Sequence, residues 1–157
     1  MKIAKTMTTA GTLALAFAAA PALAGDPVQG ETDFNRQCAN CHNVVDDSGD
    51  VLAGRPNMRT GPNLYGVIGR QAGVVDGFRY GASLVEAGEE GLVWTEADMV
   101  PYLLDPVSFL RETLDNNRAR SQMSFRVRDE GTAQDIIAFL AQFGAHDAEE
   151  EEAEGGS

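Results

Sequence analysis

Two cysteines three positions apart, with a histidine directly after the second, constrain this chain more than anything else in it: Cys38-Ala39-Asn40-Cys41-His42. At this spacing, one helical turn lets two thiols reach the two vinyl groups of a single porphyrin edge as thioethers. The adjacent imidazole then turns onto the iron, so the motif implies covalently attached haem. Cys-x-x-Cys alone also occurs in thiol redox pairs and in half of many zinc sites. A zinc site needs further Cys or His ligands, and the only other histidine is His146. A thiol redox fold needs alternating strands and helices, and that pattern is absent.

The first 24 residues carry Lys2 and Lys5, then an apolar run from about Ala10 to Ala20, then Ala22-Leu23-Ala24. This is the pattern of a secretory signal cleaved after Ala24. The run falls short of the ~20 residues needed to span a bilayer, and Pro21 interrupts its end. Export suits the haem motif, because such haem is attached outside the cytoplasm.

Cleavage leaves 133 of the 157 residues, enough for one domain, expected over residues 25–146. With both cysteines in the motif, no structural disulfide is expected. The remaining chain has ten arginines, no lysine and 24 acidic residues, a formal charge of −14 that disfavours nucleic-acid binding. Residues 147–157, rich in Glu and ending Gly-Gly-Ser, read as a disordered acidic tail.

Between these ends the chain reads as all-α. A helix is expected from Gly30 to about Asn40 with Phe34 inward, followed by Gly- and Pro-rich loops rather than sheet from Asn43 to about Asp76. Further helices are expected near Ala82 to Ala87, after the N-cap Thr95, and from Pro106 to about Leu114. Pro101 should disturb the second of these. The last helix, about Asp129 to Phe143, has an inward face of Ile136, Ile137, Phe139, Leu140 and Phe143.

His42 supplies one axial ligand. Met58, Met99, Met123 and His146 are the candidates for the other, and position favours Met123, between a polar loop and the last helix.

Several motifs occur in order: Phe34 with the haem motif, Thr60-Gly61-Pro62-Asn63-Leu64-Tyr65-Gly66-Val67-Ile68-Gly69-Arg70, Gly77-Phe78-Arg79-Tyr80, Trp94-Thr95-Glu96-Ala97-Asp98 and Met123-Ser124-Phe125. Together they resemble a class I c-type cytochrome, nearest the bacterial cytochrome c2 and c550 group, from about Gly30 to Phe143. The resemblance implies short helices and loops wrapped around one haem c, and Met123 as the sixth ligand. It implies that Pro62 offers its carbonyl to His42, that Arg70, Tyr80 and Trp94 surround a buried haem propionate, and that Tyr102 bonds near the methionine sulfur. Gly30, Phe34, Ile136 and Phe139 would form the crossing of the first and last helices.

The implied role is a soluble, monomeric periplasmic electron carrier, not an enzyme. It would pass electrons from cytochrome bc1 to a cytochrome oxidase or a photosynthetic reaction centre. A periplasmic dehydrogenase as electron donor is the second reading, and an open-site haem enzyme or gas-binding protein the rival of another class. Relatives dock through lysines. Here the stretch Arg111 to Arg128, with five arginines against two acids, is expected to substitute.

Overall fold

The computed structural model describes residues 25–144. The expected signal segment, the acidic tail and His146 lie outside the described residues.

The first helix, α1 (Pro27–Gln37), begins three residues earlier than expected. Asp26 is its N-cap, accepting from the backbone N–H of Val28 at 2.9 Å and of Gln29 at 3.3 Å, and Pro27 fills a first-turn position where no donor is needed. The helix ends at the haem motif. A tight turn follows, in which the N–H groups of Cys41 and His42 both donate to the Cys38 carbonyl.

A two-stranded antiparallel hairpin, β1 (Asn43–Val45) with β2 (Val51–Gly54), stands where only loop was expected. Asp46 Oδ1 closes its tip by accepting from the N–H groups of Ser48 and Asp50, while Gly49 supplies the left-handed φ of 91°. Strands of three and four residues are too short for alternation to show in sequence.

Then come α2 (Ala82–Glu89), α3 (Glu96–Leu104), α4 (Pro106–Thr113) and α5 (Glu130–Leu140). Thr95 caps α3 through the Asp98 N–H, as expected, and the helix runs on through Pro101. Proline there removes one helical hydrogen bond, and Asp105 N–H still reaches the Pro101 carbonyl at 2.9 Å. Asp105 closes α3 and caps α4, accepting from the Ser108 N–H at 3.0 Å. Helix α5 stops at Leu140, and a tighter turn with 3.1 Å Phe143 N–H to Leu140 O carries the chain to Gly144.

The framework is the α1–α5 crossing. Gly30 lies so close to α5 that a Cβ there would overlap the Asp135 carbonyl, and Phe34 meets Phe139 with ring centroids 5.5 Å apart. Phe34, Ile136, Ile137 and Leu140 are fully buried, with α3 against the other flank of α5. Among the described residues, no helix is long and apolar enough to cross a membrane.

Candidate cofactor site

A cleft of about 1170 Å³ runs into this framework from the end of α1. Its size matters, because protein interiors pack without large voids, so a space of this volume suits a resident group. All nine residues singled out from the sequence, Cys38, Cys41, His42, Pro62, Arg70, Tyr80, Trp94, Tyr102 and Met123, stand on its wall. Much of the rest is apolar, including Leu64, Val67, Leu84, Leu103, Ile136 and Leu140. A flat, largely apolar ring with two reactive vinyl positions fits such a wall, and the thiols at its mouth complete the donor set.

His42 is held in a single orientation. Its Nδ1 lies 2.9 Å from the Pro62 carbonyl, which can only accept, so Nδ1 carries the proton and Nε2 keeps its lone pair. Gly61 makes this seat possible: its N–H donates to the Cys41 carbonyl at 2.7 Å, and a Cβ at that position would overlap the imidazole ring. Burial lowers the His42 pKa although the Pro62 bond opposes it, so the ring is neutral and able to bind a metal. The functional need for Gly61 was not read from the sequence; its only signal was a glycine directly before the proline.

Cys38 is partly buried and Cys41 exposed. Burial, with Asp33 and Cys41 adding to it, pushes the Cys38 thiol up to about 12.

The sulfur candidates now separate. Met58 is absent from the wall, whereas Met99 and Met123 are both on it. Met99 is a buried residue of α3, packed in the core, while Met123 comes from the irregular segment between α4 and α5. A segment of that kind can bring a thioether over a flat group.

The polar end of the cleft is built from backbone anchors. Arg70 donates to the Tyr65 carbonyl at 2.6 Å and to the Asn63 carbonyl at 3.0 Å, which leaves other guanidinium N–H groups for an anion. Burial lowers its pKa, with Tyr80 acting in the opposite sense. Trp94 stacks on Phe109 at 5.8 Å and meets Tyr102 at 4.8 Å, so three aromatic rings brace this wall. Burial raises the Tyr102 pKa and keeps the phenol protonated as a donor. Ser121 Oγ is buried beside it without a hydrogen bond of ordinary geometry.

The fold and cleft define a haem-binding domain of the class I c-type cytochrome kind. No protein-family model matches the chain. Among curated relatives, cytochrome c2 of Rhodovulum adriaticum is 52% identical over 125 residues, covering 80% of this chain and 98% of that protein. Cytochrome c-551 of Roseobacter denitrificans is 50% identical over 137 residues, covering 87% and 94%. The crystal structure of cytochrome c2 from Rhodobacter sphaeroides superposes with a TM-score of 0.73 at 46% identity, covering 76% of this chain and 97% of that one. The chain belongs to the cytochrome c2 and c-550 family of class I c-type cytochromes, electron carriers with one covalently bound haem c.

Proposed function

We propose that Cys38 and Cys41 hold the haem as thioethers, that His42 Nε2 and Met123 Sδ are its axial ligands, and that the protein shuttles single electrons in the periplasm. The observation that carries this reading is one wall bearing the two motif sulfurs, an imidazole locked by Pro62, and Met123 on a separate strap. The haem supplies a ferric–ferrous couple. The protein's residues do the rest: His42 is kept in the ligating tautomer, and the Pro62 carbonyl raises its basicity. Soft thioether sulfur favours the reduced metal over a second imidazole, and the apolar wall disfavours the extra ferric charge. Arg70, Tyr80 and Trp94 would hold a haem propionate, and Tyr102, whose hydroxyl lies beside Ser121, would support the sulfur ligand. With His42 and Met123 both bound to the iron, oxygen and peroxide chemistry would be suppressed.

Cytochrome bc1 is the proposed donor, with a cytochrome oxidase or a photosynthetic reaction centre as acceptor. The signal segment is cleaved after Ala24 to deliver the protein to this compartment.

Docking charge draws on one end of the run Arg111 to Arg128 and on two arginines outside it. Arg126 pairs with Asp105 at 3.1 Å, while Arg111 donates through Nε to the Ala119 carbonyl at 3.4 Å and keeps its charge. Arg59, Arg79 and Arg128 are exposed and stand on the cleft wall, where Asp129 is the one carboxylate among the described residues. An acidic partner surface therefore meets positive charge around the haem edge while the acidic bulk is repelled. Reversing Arg79 and Arg128 to Glu should slow reduction by the bc1 complex about tenfold at low salt, with the difference closing as salt rises. Stopped-flow reduction across ionic strengths checks this, with Arg118→Glu as the less affected control. Rates independent of both substitutions, with rapid reduction by a periplasmic dehydrogenase, would favour the second donor.

A further inference from the structure

The segment leading into α1 is seated on α5 before the helix begins. A Cβ on Gly25 would overlap the Gln134 carbonyl and crowd the Asp135 nitrogen, as one on Gly30 would overlap the Asp135 carbonyl, so two glycines grip one stretch of α5 backbone. Between them the Asp26 N–H donates to Asp135 Oδ1 at 2.7 Å, across 109 positions of sequence. Asp26 turns its own carboxylate onto the N–H groups of Val28 and Gln29. Asp135 Oδ2 takes no hydrogen bond or ion pair among the described residues.

Gly25 and Asp135 are both half-buried, which limits screening by water and salt. Neither lines the haem cleft, so their burial does not depend on what the cleft holds. Hydrolysis of the Ala24–Gly25 peptide bond consumes one water and turns an uncharged amide at Gly25 into an α-ammonium. That charge arises one residue from the N–H that Asp135 accepts.

We propose that the Gly25 α-ammonium, created by removal of the leader, pairs with the Asp135 carboxylate and locks the start of the mature chain onto α5, so that the α1–α5 crossing is completed only on processing. This rests on the reading that cleavage follows Ala24. The uncleaved chain has a neutral amide at this point and lacks the pair. Lys2 and Lys5 are the only lysines and leave with the leader, so the latch is the single amine of the mature protein. An amine-selective reagent therefore reads this site alone.

Acetylation of the secreted holoprotein at neutral pH with an N-hydroxysuccinimide ester tests the proposal, in the wild type and in Asp135→Asn. Asparagine keeps an acceptor for the Asp26 N–H and removes the charge. An ammonium must lose its proton to react, so the wild type should be acetylated about fivefold more slowly than Asp135→Asn at low salt, with the difference narrowing at high salt. In chemical denaturation, acetylation should raise the unfolded-to-folded ratio of the wild type about fivefold and leave that of Asp135→Asn unchanged. Asp135→Ser, also neutral, must behave as Asp135→Asn does and serves if asparagine is not tolerated. Equal acetylation rates, or an equal loss of stability on acetylating both proteins, overturns the pair. Mass spectrometry of the secreted protein separates the two readings: a first residue other than Gly25 overturns the cleavage reading, whereas a Gly25 start with equal rates overturns only the latch.

Discussion

Met123→Ala should convert the holoprotein from low-spin to high-spin haem, abolish the weak red sulfur-to-iron band of the ferric form, and lower the midpoint by roughly 0.2 V. Losing the thioether removes the ligand that favours ferrous iron and admits water to the cleft, and both changes favour ferric iron. Met99 is also on the wall, buried in α3, and provides the control. Met99→Leu exchanges one apolar side chain for another of similar volume, so its cost is below ~1.5 kcal/mol and the red band remains. Absorption spectra and redox titration of the two variants check both expectations. A red band lost with Met99→Leu and kept with Met123→Ala would reverse the ligand assignment.

Gly30→Val is expected to be the most damaging single change outside the cleft. Its Cβ would overlap the Asp135 carbonyl and approach the Phe139 Cβ, so α1 and α5 must separate. These helices share the largest interface in the fold, with Phe34 and Ile136 fully buried beside the crossing. Backbone on both sides leaves little room for relaxation, and the expected loss is about 3 kcal/mol, equivalent to a fall in Tm of roughly 10 °C. Chemical denaturation followed by far-ultraviolet circular dichroism measures it. A loss below ~1 kcal/mol would mean that the crossing is not the framework of the fold.

Different physics decided which features could be read along the chain. The haem motif, the Thr95 cap and the apolar stripe of α5 are local, with their spacing or capping chemistry in consecutive residues. The β1–β2 hairpin was missed because its strands are shorter than the windows in which period two can be recognised. The early start of α1 is carried by Asp26-Pro27, a cap and first-turn pair ahead of Gly30.

Within the cleft, all nine expected residues converge, yet position alone left four candidates for the sixth ligand. Only the fold removes Met58 from the wall and places Met99 in the core. Gly61 and the arginines around the cleft were not legible for a common reason: their significance lies in what approaches them from elsewhere. The closeness of the imidazole to Gly61 and the gathering of Arg59, Arg79 and Arg128 from separate segments are properties of tertiary packing.

The central claim is that this chain closes both faces of its haem with His42 and Met123 and therefore does nothing but carry electrons. One titration of the wild-type holoprotein tests it most directly: spectra of the ferric and ferrous forms through the midpoint, with carbon monoxide added to the ferrous end point. A positive midpoint, a weak red band in the ferric form and no rapid carbon monoxide binding are predicted. High-spin haem that binds carbon monoxide at once would contradict the claim and identify an open site.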